Sequence, residues 1–302
     1  MIEQQIIPIQ ARDRSTYIGS ADAAGLFGLA DAYNSPYSIF ARKTGLAGAV
    51  EVTEAMQVGL VLEGYILQRY AREENTQIAA QQVFIQHPDY DFLGATLDGL
   101  VFADGNPIRI VEAKTTRDYK WDEVPLRYEA QVQWQMGIAG IHEADLTVLH
   151  RPDLQLKTYR MAFNPAIYDA LVDKAVQFWY DHIETGSPPE VDGNEATTEA
   201  LKQIQASPGE SVSIDDMAQR IAALNAIRLQ LKELEGQEEL IENELRAALG
   251  EAEIGFIDGK QAVTWKAQNS TQFDQKKFQA DNPELYQKYI SITTSRVLRV
   301  SK

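Results

Sequence analysis

The sequence predicts a mixed α/β (α+β) protein, and three observations predict it. Two apolar runs rich in β-branched and aromatic residues, Leu97-Asp98-Gly99-Leu100-Val101-Phe102 and Ile108-Arg109-Ile110-Val111-Glu112-Ala113-Lys114, flank the turn-forming Ala103-Asp104-Gly105-Asn106-Pro107. That is a hairpin pattern. Residues 53–72 carry helical periodicity and 127–139 read as a second helix. Further strand-like runs at 146–149 and 155–163 precede an amphipathic stretch over 166–183.

Taken in order, residues 6–17 are weakly patterned and lead to Ile18-Gly19-Ser20-Ala21-Asp22, where Ser20 or Asp22 can cap a short helix. Asn34-Ser35-Pro36-Tyr37 reads as a turn into a second short helix over 38–44, stopped by Gly45. On the helix over 53–72, Met56, Leu60, Glu63, Leu67 and Tyr70 recur at threes and fours, which puts the carboxylate of Glu63 on the apolar stripe. A short strand at 83–85 and a His87-Pro88-Asp89-Tyr90 turn, with His87 as a turn residue, lead into the hairpin. In the helix over 127–139, Tyr128, Gln131 and Gln135 share one face and Gln133 points elsewhere.

Gly186-Ser187-Pro188-Pro189 marks a boundary that divides the chain into a core of 1–186, a linker of 187–213, an acidic helical segment of 214–250 and a basic hairpin tail of 251–302. In the helical segment Met217, Leu224, Ile227, Leu231, Leu234, Ile241 and Leu245 have heptad spacing. Glu238 interrupts that seam and Gly236 weakens the helix, so one long helix or two is expected, packed on the body or on another subunit. The tail begins with a hairpin signature around Asp258-Gly259 and interleaves aromatics with lysines, as single-strand binders and small β-clusters both do.

The chemistry centres on the first hairpin. Pairing its strands brings Asp98 near Glu112, and strand alternation puts Ile110, Glu112 and Lys114 on one face with Val111 and Ala113 on the other. Charges on so apolar a strand need partners or a cation. A second carboxylate from the neighbouring strand makes an all-oxygen site suited to Mg²⁺, with Lys114 close enough to act on water or phosphate. A plain Glu112–Lys114 pair at a strand end, beside a turn aspartate, satisfies the same spacing.

Composition narrows the classes. The chain has 28 basic and 44 acidic residues for a net charge of −16, which is wrong for a protein that coats nucleic acid by bulk attraction. The imbalance is local: residues 187–255 carry 5 basic against 15 acidic (net −10), and residues 256–302 carry 8 against 4 (net +4). Absence of cysteine removes disulfides, thiol nucleophiles and cysteine-held zinc or iron-sulfur centres. There is no Gly-rich loop ending in Gly-Lys-Ser/Thr, so no nucleotide hydrolysis is expected. No run of about 18 apolar residues occurs, and Met1-Ile2-Glu3-Gln4-Gln5 lacks the basic start of a signal peptide, so a cytoplasmic protein is expected.

Across roughly residues 12–185 these segments together resemble the viral recombination exonucleases of the lambda-exonuclease and YqaJ type, a branch of the PD-(D/E)XK nucleases. The resemblance runs through Arg14 with Ile18-Gly19, Gly59 with Glu63, Asp98-Gly99-Leu100, Glu112-Ala113-Lys114, and Tyr128 with Gln131, Gln133 and Met136. It implies a restriction-endonuclease-like core, a central mixed sheet flanked by helices, here with a C-terminal helical and small β extension. It further implies Asp98, Glu112 and the Ala113 carbonyl as ligands of Mg²⁺, two per site with Mn²⁺ as a substitute, with Glu63 contributing directly or through water. Lys114 would position and activate the attacking water, and Gln131 would support the site or the scissile strand. Arg14 matches the arginine that receives a terminal 5′-phosphate. Ala21 stands where a serine usually follows, with Ser20 one place earlier. Tyr128 and Gln135 join Arg14 and Ser20 as expected DNA contacts.

The resemblance implies exonuclease action, 5′ to 3′, on double-stranded DNA ends in phage-type recombination, with a single-strand annealing protein as partner and a homo-oligomer, a trimer in ring-shaped members. A phage or prophage protein in a bacterial host, with no membrane role, follows from it. Endonuclease action by the same core and a non-catalytic DNA-binding or assembly subunit are the competing expectations.

Overall fold

In the computed structural model, residues 7–8, 13–29, 34–48, 53–205, 207, 209–291 and 296–300 are described. The chain divides into two compact units, Met1–Gln205 and Ala206–Lys302.

The first unit is built on one sheet of order β1-β2-β3-β4-β5-β6. Its strands are Ile7–Pro8 (β1), Ile78–Gln86 (β2), Gly94–Ala103 (β3), Asn106–Thr116 (β4), Glu143–His150 (β5) and Gln155–Ala162 (β6). Five strands carry the sheet and β1 is a two-residue edge. Every pairing is antiparallel except the parallel β4–β5, which makes the sheet mixed, as expected.

Among the described residues six α-helices belong to this unit: Ser20–Leu26 (α1), Pro36–Lys43 (α2), Glu54–Glu73 (α3), Leu126–Ala139 (α4), Pro165–Phe178 (α5) and Glu195–Gln203 (α6). Local chemistry sets their starts. Asp22 sits inside the first turn of α1, three residues after the Gly19 cap, and its carboxylate accepts from the Gly19 N–H. Ser35 accepts from the Ser38 N–H and Pro36 takes the first helical position, so α2 begins inside the segment expected as a turn. Thr53 caps α3 through the Met56 N–H.

The β3–β4 hairpin turns on Asp104 (φ 49°) and Gly105 (φ 79°), a two-residue turn with both central residues left-handed. Ile108 is an extra residue in β4, since Phe102 pairs with Pro107 and Val101 with Arg109. Beyond that bulge, alternation holds. Leu100 and Ile110 join Val132, Trp134, Met136, Leu146, Val148 and Leu171 in the core that includes α4 and α5. Val101, Val111 and Ala113 pack with Ile66, Leu67 and Tyr70 of α3.

The apolar stripe of α3 is only half used. Met56 and Leu60 are 44% and 65% exposed, because the helix packs through Ile66, Leu67 and Tyr70 in its later turns. Gly99 permits that approach: a Cβ there would lie 3.3 Å from Leu67 Cδ2 and 3.1 Å from Ile78 Cγ2.

A tighter contact joins α4 to α5, where a Cβ on Gly137 would fall 2.1 Å from the Tyr168 ring. Gly137→Ala is therefore expected to destabilise the unit by about 2–3 kcal/mol despite the better helix propensity of alanine. Urea unfolding of the variant measures this, and Tyr168→Ala in the same chain should recover part of the loss.

The expected linker over 187–213 needs correction. The Pro188-Pro189 pair follows the end of a helix but not the end of the unit, which runs to Gln205. Helix α6 lies within it and docks on the α2 region through Ala200 against Tyr37, Ala41 and Ala47. The buried Thr197 hydroxyl is 2.7 Å from that of Ser35, and Gln203 accepts from the Gly48 N–H at 2.9 Å. Small residues bury this helix face, so hydropathy gave no sign of it.

The second unit holds Ala218–Leu249 (α7), the hairpin Ile254–Ile257 (β7) with Lys260–Thr264 (β8), and the short helices Gln275–Asp281 (α8) and Pro283–Tyr289 (α9). Helix α7 runs unbroken through Gly236 for 32 residues. No helix among the described residues is long and apolar enough to cross a membrane.

Candidate active site

Register assembles the site. Gly99 pairs with Val111 and Leu100 with Ile110, so the next position along brings Asp98 opposite Glu112. The Asp98 carboxylate accepts from the Ala113 N–H at 2.9 Å, which fixes it at the point where β3 and β4 part.

Glu112 is 1% exposed. A buried carboxylate needs its lone pairs satisfied, and here they are. Lys114 Nζ and Gln131 Nε2 donate to Oε1, both at 2.6 Å, and Gln135 Nε2 donates to Oε2 at 2.7 Å. Gln135 is itself buried and also donates to the Thr96 carbonyl at 3.0 Å. Helix α4 supplies both amides because residues four apart share a face. Gln133 lies on another face and bonds the Ala162 carbonyl and the Asn164 N–H, joining β6 to α5.

Tyr128, on the first turn of α4, lies with its ring 5.6 Å from Lys114 Nζ and 4.6 Å from the Arg127 guanidinium. It also stacks on Trp121, 5.2 Å away between ring centroids, from the loop after β4. Trp121 is buried, and its indole N–H donates to Asp118 at 2.9 Å. The loop thus props the aromatic ring that lies beside the lysine. A tryptophan in an otherwise polar loop was the one available sign of this role.

Glu63 reaches the group from α3, and its carboxylate accepts from Gln82 Nε2 at 2.5 Å. Gln82 falls opposite Asp98, between the pairs Gln81–Gly99 and Val83–Leu97, and holds φ 52° within a strand. A left-handed glutamine in a strand is a strained position. Sequence reading passed over Gln82 entirely, since no periodicity marks it.

The charges are mutually dependent. Burial, then the neighbouring carboxylates of Glu112 and Glu63, raise the Asp98 pKa well above the carboxylate range, against the pull of Lys114 and the Ala113 N–H. Burial disfavours the Lys114 ammonium, but Glu112 and Asp98 outweigh it and hold the pKa above that of free lysine. Lys114 is therefore a cation and a donor at any physiological pH.

Clustered carboxylates and a backbone carbonyl are the donor set of a hard divalent cation. The raised Asp98 pKa is what an unbalanced group of acids produces, and a cation would relieve it. As placed, no three acidic or histidine side chains among the described residues converge as ligands, because Glu112 is held by Lys114 and the two glutamines and Glu63 by Gln82. The residues fit such an ion in kind, and binding one requires exchange of these amide and ammonium contacts.

Two expected DNA contacts take no part in the bonds described above. Arg14 is exposed on a one-turn 3₁₀ helix, Arg14–Thr16, and its carbonyl accepts from Lys43 Nζ at 2.6 Å. Ser20 is 9% exposed in the first turn of α1. Gly19, and not Ser20, is the cap of α1.

Residues 11–142 match the YqaJ-like viral recombinase domain. The uncharacterized protein YqaJ of Bacillus subtilis (strain 168) is 29% identical over 287 residues, 91% of this chain and 88% of that protein. Among solved structures, the alkaline exonuclease LHK-Exo of Laribacter hongkongensis aligns with 21% identity and a TM-score of 0.47, over 58% of this chain and 91% of its own. A phage-related exonuclease from Haemophilus somnus 129PT aligns with 10% identity and a TM-score of 0.42, over 56% and 96%. The matched segment contains Glu63, Asp98, Glu112, Lys114, Gln131 and Gln135, so the site lies within the part of the chain that is similar to the YqaJ-like viral recombinase domain.

Proposed function

We propose that the protein is a Mg²⁺-dependent deoxyribonuclease that removes nucleotides from the ends of linear duplex DNA, 5′ to 3′, in single-strand annealing recombination. The observation that carries this reading is the buried Glu112, held by Lys114, Gln131 and Gln135 beside the Asp98 carboxylate. A structural ion pair needs neither a second carboxylate beside the first nor two amides aimed at it.

Asp98, Glu112, Glu63 and the Ala113 carbonyl would hold the cations, with Mn²⁺ as a substitute for Mg²⁺. Bound there, they would stabilise the attacking and leaving oxygens of phosphodiester hydrolysis. Lys114, protonated, serves as donor to a phosphate oxygen or to the attacking water and not as a base that removes its proton. Gln131 and Gln135 hold the Glu112 carboxylate in its orientation, and Tyr128 confines the lysine. Gln82 orients Glu63. Gln82→Gly relieves the left-handed backbone but removes that amide, and is expected to lower the rate roughly 10-fold with little change in melting temperature. Steady-state rates and thermal melts check it.

The decisive assay compares 5′-phosphorylated linear duplex, 5′-hydroxyl linear duplex and closed circular duplex in Mg²⁺, with Glu112→Ala and EDTA as controls. Nucleotide release from linear DNA alone, lost in both controls, is the expected result. Preference for the phosphorylated end would assign Arg14 its role. Nicking of the circle would make the enzyme an endonuclease, and inertness toward all substrates would make it a binding subunit.

A further inference from the structure

Helix α7 leaves a continuous apolar seam open. Written as heptads, Met217, Leu224, Leu231, Glu238 and Leu245 fall on one line of the seam and Arg220, Ile227, Leu234, Ile241 and Ala248 on the other. Ile227, Leu231, Leu234 and Ile241 are each more than half exposed, and a groove lined by Leu231, Leu234, Glu235, Glu238, Ile241 and Glu242 runs along it. Both lines are apolar but for one acid and one base, Glu238 and Arg220.

We infer that α7 pairs antiparallel with α7 of a second copy of this chain, in the register that sets Glu238 against Arg220 of the partner subunit. The two charges decide both orientation and register. A parallel pair would place Glu238 against its own copy and Arg220 against its own copy inside the seam, with both charges repelled as well as desolvated. An antiparallel pair that matches Glu238 with Arg220 brings Met217 onto Ile241, Leu224 onto Leu234 and Leu231 onto Ile227, each twice by symmetry, so that every other layer is apolar. A shift by one heptad would set Glu238 against Ile227 and Arg220 against Leu245, leaving all four charges unpaired. The matched register carries opposing contacts on its flanks, Arg228 near its own copy and Glu244 near Asp216 of the partner subunit, but these residues are exposed, where water and salt screen them. The charge gradient of α7 agrees: Arg220, Arg228 and Lys232 lie in its first half, and Glu233, Glu235, Glu238, Glu239, Glu242 and Glu244 follow with Arg246 as the one base after Lys232, so an antiparallel copy faces mainly basic with mainly acidic.

The test is sedimentation equilibrium of the full chain at physiological salt. Arg220→Glu and Glu238→Arg are each expected to halve the mass of the particle, and the double inversion Arg220→Glu/Glu238→Arg to restore it. Helicity by circular dichroism shows whether each variant keeps α7. A monomeric parent chain, or a mass that no inversion changes, overturns the inference. The chain has no cysteine, so Met217→Cys and Ile241→Cys give a second readout independent of the charge variants. Under mild oxidation a mixture of the two single variants is expected to form a disulfide-linked dimer that neither forms alone. Linkage of Met217→Cys with itself would overturn the antiparallel arrangement.

Discussion

Replacing Lys114 with methionine is expected to lower the rate of hydrolysis roughly 10²–10³-fold, the range found when one preorganised donor is removed from a reacting centre. The same change has a structural cost. Glu112 is 1% exposed and would lose the ammonium 2.6 Å from its Oε1. A buried charge stripped of all its partners costs about 3–5 kcal/mol, but Gln131 and Gln135 still donate to Glu112. The expected destabilisation is therefore about 2–3 kcal/mol, that of a charge-assisted hydrogen bond. The double variant Glu112→Gln/Lys114→Met removes the charge together with its partner and should recover most of the stability and none of the activity. Urea unfolding read beside initial rates on linear DNA separates the two effects. A Lys114→Met enzyme of near-native rate would remove this residue from the reaction.

Asp98→Asn is expected to abolish hydrolysis and yet stabilise the cation-free protein. Burial and the carboxylates of Glu112 and Glu63 raise the Asp98 pKa above its unfolded value. Folding therefore takes up a proton, so stability falls as pH climbs from the unfolded pKa toward the folded one and stays low above it. Asparagine keeps an oxygen for the Ala113 N–H and carries no charge at any pH. The expected gain is about 1–2 kcal/mol at about pH 8, or roughly 2–6 °C in melting temperature. The difference should shrink below about pH 4, where aspartate is protonated in both states. Saturating Mg²⁺ should stabilise the parent and not the variant, which reverses their order if the site binds the ion. A variant no more stable than its parent at alkaline pH would mean that the acids around Asp98 do not repel it.

Much of this was legible in the sequence, for reasons that can be named. The hairpin was readable because Asp104-Gly105 is a turn signal and the strands on each side alternate. The helix over Gln131 and Gln135 was readable because a spacing of four puts both amides on the strand-facing side. What was hidden had no periodic signature. Gln82 acts through a left-handed backbone in the middle of a strand, and no pattern of residue types announces that. Helix α6 buries Ala196, Thr197 and Ala200, residues too small or polar to stand out beside a proline pair. Ser20 looked like a cap, but Gly19 before it took the capping position. On α3 the stripe was real, but only its second half found a partner in the sheet.

The parallel pairing of β4 with β5 also sets the order in which the site can form. Strands β2, β3 and β4 meet through short antiparallel turns, so Asp98 can reach the Ala113 N–H early and locally. Glu112 cannot be satisfied until residues 117–142, loop and helix together, have crossed over and docked. Until then its carboxylate must stay in water, which holds the nascent sheet open on that face. Loop-closure entropy makes such a crossover slow relative to hairpin formation. Amide hydrogen exchange should accordingly show β3 and β4 protected before α4 during refolding, with competence for hydrolysis regained only in the later phase.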